Sequence, residues 1–347
     1  MSDRNALIES FLAVHGWGGG LRRRLAGDAS FRRYERLTDP TSGRSAALMD
    51  APPDKEDVRP FVTLARHLKG LGFSAPAVIA EDIKHGLLLL EDLGDDTYTK
   101  MLREGADEHD LYALAVDVLI DLHHRPPGQV IPEGLPIYDH QRLLAEAMLL
   151  FDWYLPAVMG RRGTVAAQRE YVMVWLGGVL PKLSEVPPTL VLRDYHVDNL
   201  MWLPARAGVA RCGLLDFQDG VAGPRAYDLM SLLEDARRDI DPSLMSTMLD
   251  RYLAAFPALD RAAFARDFAI LGAQRHAKVI GIFTRLCVRD GKPDYLVHIP
   301  RVWRLLRRSL GHPALAPLVE WLDRYLPADK RTVPPVEPKA TRDARIR

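Results

Sequence analysis

Cysteine is nearly missing from the 347-residue chain, which has only Cys212 and Cys287. Two thiols make neither a disulfide scaffold nor a four-ligand zinc site. Both stand in mainly apolar surroundings and read as inert buried thiols. Long hydrophobic runs are missing as well. The longer ones, such as Tyr171 to Leu176, fall far short of the roughly eighteen residues that a spanning helix needs. The opening MSDRNALIESF has no apolar core of a secretory signal, so the expected location is the cytoplasm. Neither sign of charge prevails, with 46 Lys plus Arg against 46 Asp plus Glu. That balance removes the bulk electrostatic argument for nucleic acid or an anionic membrane as a partner. With 48% hydrophobic and 27% charged residues the composition is that of an ordinary globular protein, and the length points to a two-lobed enzyme or two domains.

What the chain does carry is one dense stretch, TLVLRDYHVDNLMWLPARAGVARCGLLDFQD, from Thr189 to Asp219. Two acidic motifs sit in it: Arg193-Asp194 with Asn199 following, and Asp216-Phe217-Gln218. Each lies at the edge of an apolar run that predicts a short strand. The pattern is that of a phosphoryl-transfer site, in which one carboxylate faces the attacking hydroxyl while an Asn and a second Asp hold Mg²⁺ against the ATP phosphates. The roles fall to Asp194, Asn199 and Asp216 respectively.

Upstream, apolar spacing predicts a helix over 3–15, then a hairpin around Gly27-Asp-Ala-Ser30. Such a turn lays backbone N–H groups against phosphates, which makes Ser30, Phe31, Arg32 and Arg33 candidate ATP contacts. It has one glycine where a protein-kinase loop has three, and without the downstream motifs an ordinary hairpin turn is the better reading. A strand over Ser45 to Asp50 offers Met49 and Asp50 where a kinase would place its phosphate-binding lysine. Arg32 or Arg33 is the candidate for the missing charge. Two more strands, over 76–80 and 86–90, lead into Glu91-Asp92-Leu93-Gly94, and Leu90, Glu91 and Leu93 are the adenine-binding candidates. Helices are expected over 108–124, 139–154, 164–183, 242–255, 260–289 and 298–326. The charged, proline-containing tail from Pro327 to Arg347 is expected to be disordered. Asp228 is expected to cap or brace its helix.

LRDYHVDN at 192–199, LLDFQD at 214–219 and GPxxYDL at 223–229 resemble the aminoglycoside phosphotransferase family over about Leu21 to Leu326. ASFRRY at 29–34, the lysine-less ALMDAPP at 47–53, LLEDLG at 89–94 and GIFTRL with RDGK at 281–292 are similar to the bacterial N-acetylmuramate/N-acetylglucosamine anomeric kinases of peptidoglycan recycling. The resemblance implies an α+β, two-lobed protein-kinase-like fold, with an N-terminal antiparallel-sheet lobe over 1–93, a mainly helical C-terminal lobe over 94–326, and the tail 327–347. It further implies phosphorylation of an amino sugar at its C1 hydroxyl, with ATP and Mg²⁺. Asp194 aligns with the family's catalytic Asp, Asn199 and Asp216 with its metal-binding residues, and Asp219 with a possible additional contact. Leu192 departs from the His of many relatives. For the sugar, Glu146 is a candidate to bond hydroxyls, Trp153 or Tyr154 to stack on a ring face, and His196 and Arg285 to bind polar groups; core packing explains the aromatics equally well. Arg275 and Lys278 suit an N-acetylated or carboxylated sugar better than a cationic antibiotic. Kinases of aminoglycosides, choline or homoserine, and a catalytically dead nucleotide-binding module, are the competing readings.

Overall fold

The computed structural model describes residues 2–25 and 31–335. By compactness the chain falls into two units: residues up to Gly134 with Leu192–Gly220, and Leu135–Val191 with the residues from Val221 onward. This division differs from a boundary at 93/94.

The first unit is built on a five-stranded antiparallel sheet of β1 (Leu21–Arg24), β2 (Arg33–Thr38), β3 (Ser45–Asp50), β4 (Val78–Asp82) and β5 (Leu87–Glu91), in the order β1-β2-β3-β5-β4. Side chains alternate across it. Leu37, Ala46, Leu48, Leu87 and Leu89 face one way and bury against Ile8, Phe11 and Leu12 of α1 (Ser2–Val14) and against Trp17. The register pairs Tyr34 with Met49, Ala47 with Leu90 and Met49 with Leu88, so these residues share the opposite face. Helix α2 (Arg59–Gly70) follows β3 and contains no acidic residue. Helices α3 (Tyr98–Arg103), α4 (Glu108–His124) and α5 (Pro127–Val130) complete the continuous part.

Residues 94–134 and 192–220 join this unit through backbone bonds. Leu214 N–H donates to Ser74 O at 3.0 Å, and Trp202 N–H to Asp96 O at 2.7 Å. Tyr195 Oη donates to Ala115 O on α4 at 2.8 Å. In the later segment, β7 (Leu200–Trp202) and β8 (Cys212–Leu214) form a hairpin. Cys212 is buried there, and burial pushes its thiol up to about 12. Cys287, in the second unit, is buried too. Both thiols match the inert expectation.

The second unit holds a short pair, β6 (Thr189–Val191) with β9 (Val221–Gly223). The rest is helical: α6 (His140–Leu149), α7 (Leu155–Met159), α8 (Val165–Met173), α9 (Ala226–Leu233), α10 (Pro242–Ala255), α11 (Arg261–Asp290), α12 (Ile299–Leu310) and α13 (Ala316–Tyr325). The 30-residue α11 is the central helix, packed against α6, α9 and α12. A side chain at Gly281 on α11 would fall 2.4 Å from the carbonyl oxygen of Leu149, so only glycine lets the two backbones approach this closely.

Three expected helices are interrupted. The 139–154 segment widens into a π turn at Leu150–Tyr154, beginning where α11 presses on Leu149. The 164–183 segment does the same at Val174–Val179. The 298–326 segment breaks around Pro313, whose ring cannot continue a helix. The tail expected to be disordered is ordered at its start: Ala328–Lys330 forms a 3₁₀ turn, and the carbonyls of Lys330 and Thr332 lie 3.0 and 2.7 Å from Tyr154 Oη. The remainder of that tail lies outside the described residues.

Candidate active site

The β7–β8 hairpin sets the site. Leu200 pairs with Leu214, and the ladder extends one step further, Leu215 N–H donating to Asn199 O at 2.9 Å. Asn199 therefore enters the hairpin opposite the point where Asp216 leaves it. The two residues sequence reasoning singled out as metal ligands are brought side by side by strand register alone.

Asp194 is fixed by a tight turn. Its N–H donates to Leu192 O at 2.9 Å across Arg193, whose φ is 70°. Asp216 has φ 57°. A left-handed backbone costs a non-glycine residue energy and persists where surrounding bonds over-determine it. Those bonds are present. Arg193 Nη1 donates to Asp219 O at 3.1 Å and so ties the first motif to the second. Asn199 Nδ2 donates to Asp194 O at 2.9 Å, and Gln218 Nε2 to Asp216 Oδ1 at 2.8 Å. With Nδ2 committed to a carbonyl, Asn199 Oδ1 is left as the acceptor. An amide oxygen beside a carboxylate is a hard-oxygen donor set, which suits Mg²⁺.

Opposite Asp216 stands a cation. Arg32 Nη2 is 3.3 Å from Asp216 Oδ1, and the Arg32 side chain is only 10% exposed. Burial works against its charge, but Tyr34, Asp216, Glu56 and Asp219 outweigh burial and hold it above its ordinary value. Met49 explains why the charge comes from here. Ala47 lines the adjacent cavity, and period-two alternation puts Met49 on the same face, where a strand lysine would project. Arg32 lies two residues before Tyr34, Met49's cross-strand partner. Arg33, by contrast, is exposed and pairs in register with Asp50, itself held by Arg4 at 2.6 Å. Of the two arginines the structure brings Arg32 to the site.

The cavity, about 370 Å³, is lined by Leu90, Glu91, Leu93, Asn199 and Asp216 among the expected residues. It also takes in Tyr34, Ala47, Phe61, Pro76, Thr97, Asp198 and Met201, which sequence reasoning missed. Asp198 accepts a hydrogen bond from Thr99; its signal was available, since it stands inside the motif beside Asn199. Glu91's side chain is occupied structurally, accepting from Arg206 Nη2 at 2.6 Å and Ala77 N at 3.1 Å. Arg36 binds Asp92 at 2.8 Å and Asp95 at 2.5 Å and so braces the segment that follows β5. Phe31 N–H donates to Glu56 Oε1 at 3.1 Å. Ser30 and the turn from Gly27 lie outside the described residues.

The sugar candidates are divided between the two units, His196 in the first and Glu146, Tyr154 and Arg285 in the second. His196 is 6% exposed, with Nε2 3.4 Å from Asn199 Nδ2 and Nδ1 3.9 Å from Asp198 Oδ2. It is buried against the loop that carries Asn199 and Asp198. Tyr154 is fully buried, and its hydroxyl accepts from Trp303 Nε1 at 2.9 Å while donating towards the tail carbonyls. It is a core residue, not a stacking platform. Glu146, on α6, accepts from Tyr138 Oη and from Gln274 Nε2 at 3.1 Å, and lies 3.2 Å from Lys278 Nζ. Arg275, His276 and Lys278 are buried on α11, not spread on a solvated face. Arg285 is half-buried, and burial with Arg289 nearby lowers its pKa.

The profile of the APH phosphotransferase enzyme family matches residues 22–265. The chain belongs to the APH phosphotransferase family. An N-acetylmuramate/N-acetylglucosamine kinase of Caulobacter vibrioides is 40% identical, covering 95% of this chain and 99% of its own length. A kinase of the same description from Pseudomonas aeruginosa is 39% identical, covering 92% and 93%. Among solved structures, a choline/ethanolamine kinase family protein from Mesorhizobium loti superposes with TM-score 0.60 at 16% identity, covering 92% of this chain and 99% of that one. ADP-bound aminoglycoside phosphotransferase APH(2'')-Ib superposes with TM-score 0.56 at 16% identity, covering 86% and 96%. The protein is a kinase of protein-kinase-like fold. Among the described residues no helix is long and apolar enough to cross a membrane.

Proposed function

We propose that this APH-family kinase transfers the γ-phosphoryl group of ATP to the C1 hydroxyl of N-acetylmuramate or N-acetylglucosamine. The observation that supports the chemistry is the meeting of Asn199 and Asp216 on one hairpin, with the Asp194 carbonyl bonded to Asn199 from the flanking loop and Arg32, from the segment before β2, set against Asp216. The sugar rests on the description of relatives at 37–40% identity across most of the chain.

Adenine lies against Leu90 to Leu93, and the phosphates by Arg32. Asn199 Oδ1 and Asp216 hold Mg²⁺, which neutralises phosphate charge when bound. Asp194 orients the anomeric hydroxyl. As its oxygen bonds to the γ-phosphorus, the bond to the β–γ bridging oxygen breaks; the proton passes to Asp194, leaving ADP and the sugar 1-phosphate. An anomeric hydroxyl is more acidic than an ordinary alcohol, so an ordinary carboxylate suffices as acceptor. A cytoplasmic setting fits a substrate pair of ATP and a free sugar.

The test is ATP consumption with N-acetylmuramate, N-acetylglucosamine, aminoglycosides and choline, with the phosphorylated position assigned by ³¹P–¹H NMR. Turnover confined to the amino sugars, at C1, is expected. Turnover with choline or an aminoglycoside alone would refute the assignment.

A further inference from the structure

The pair between Arg32 and Asp216 has a consequence for metal binding. Asp216 Oδ1 already accepts from Gln218 Nε2, and the Arg32 guanidinium stands 3.3 Å from the same oxygen. A divalent cation ligated by Asp216 would sit next to that guanidinium and be repelled by it. Burial keeps the conflict poorly screened, since the two side chains are only 10% and 27% exposed. Arg32 has somewhere else to go: Glu56 and Asp219 both act on its charge, and Glu56 is positioned by the N–H of Phe31, the residue before it.

We propose that Arg32 is a resident counter-ion of the ligand-free site, which holds Asp216 until a divalent cation displaces it and then turns towards Glu56 and the nucleotide phosphates. Guanidinium and metal thus compete for one carboxylate, and the metal binds well only when phosphates arrive to take the guanidinium. The kinase thereby discriminates against bare Mg²⁺ in favour of the metal–nucleotide complex. This rests on the reading of Asp216 as a metal ligand.

The experiment is titration of the full-length, nucleotide-free protein with Mn²⁺, with free Mn²⁺ followed by electron paramagnetic resonance. Parent, Arg32→Met, Arg32→Gln, Arg33→Met and Asp216→Asn are compared, each checked for folding by circular dichroism. Both Arg32 variants are expected to bind Mn²⁺ on the order of tenfold more tightly than the parent, and Arg33→Met like the parent. With a non-hydrolysable ATP analogue present, the order reverses and the Arg32 variants bind the metal–nucleotide complex more weakly. Unchanged or weaker Mn²⁺ affinity in both folded Arg32 variants, with binding lost in Asp216→Asn, overturns the competition alone. Binding that survives Asp216→Asn removes the metal-ligand assignment, and the competition falls with it.

Discussion

The ring of Phe61 on α2 stacks on Phe217, with centroids 5.1 Å apart and planes 27° apart. Protein kinases couple the equivalent elements through a Lys–Glu ion pair, whereas here β3 has no lysine and α2 no acid. An apolar contact beside the strained Asp216 stands in their place. Phe61→Ala should cost about 3–5 kcal/mol of stability and lower turnover, because Asp216 loses its anchored neighbour. Phe61→Leu should lose under about 1.5 kcal/mol and keep most activity. Thermal melts and steady-state kinetics decide; a lower melting temperature with unaltered kinetics would leave the stack purely structural.

Asp194→Asn keeps the turn across Arg193 and the bond from Asn199, both of which use the main chain of residues 192–194. Turnover should fall on the order of 10²- to 10⁴-fold. Affinity for a non-hydrolysable ATP analogue, measured by calorimetry, should stay within about twofold. Retained turnover would refute the role.

If the cation has moved from β3 to Arg32, it can be moved back. Arg32→Met should raise KM for ATP about tenfold, and Met49→Lys added to it should recover most of that loss, since residue 49 projects on the same face as Ala47. A folded double variant with no recovery would mean the phosphates do not run along that face.

Glu234 is 3% exposed, and burial pushes its carboxyl up to about 7, with Arg308 opposing. Such a group stabilises fully below its ordinary range, and that contribution is lost as pH rises through about 7. Its neighbour His276, 3.4 Å away, is pushed down to about 3 by burial and Arg275; its contribution is present above the ordinary histidine range and is lost as pH falls through about 3. The slopes oppose, so the parent's melting temperature should change little between about pH 5 and 7. Glu234→Gln removes the first slope only. Its advantage over the parent should grow across that window to a few kcal/mol, and a pH-independent difference would contradict the account.

Tyr154→Phe strips a buried hydroxyl from Trp303 and from the chain at 330–332. Stability should fall by about 1–3 kcal/mol with no change in KM for the sugar. A raised sugar KM in a stably folded variant would return Tyr154 to the substrate site.

The sequence carried the sheet of the first unit well, because strand alternation is local, and the spacing of Asp194, Asn199 and Asp216 singled out residues that lie close together around the β7–β8 hairpin. It carried the partners poorly. Arg32 and Arg33 are chemically identical neighbours, and only the register of β2 with β3 separates them. Phe61 looks like any core residue of an amphipathic helix until Phe217 is seen to meet it. Arg275, His276 and Lys278 suggest a basic face, yet Tyr227, Glu234 and Glu146 bury them. The π turn at Leu150–Tyr154 escapes periodicity altogether, since it begins where Gly281 admits the backbone of Leu149.

The first unit is discontinuous: residues up to Gly134 are separated from Leu192–Gly220 by a segment belonging to the other unit. On the ribosome, the five-stranded sheet emerges early, but Asp194, Asn199 and Asp216 emerge only after the whole 135–191 segment has been made. A nascent chain stopped between Glu91 and Asp216 therefore holds all five strands of the sheet but lacks the paired Asn199 and Asp216, however long it waits. The meeting of Asn199 and Asp216 comes late in synthesis and in one step, with the hairpin that closes the unit.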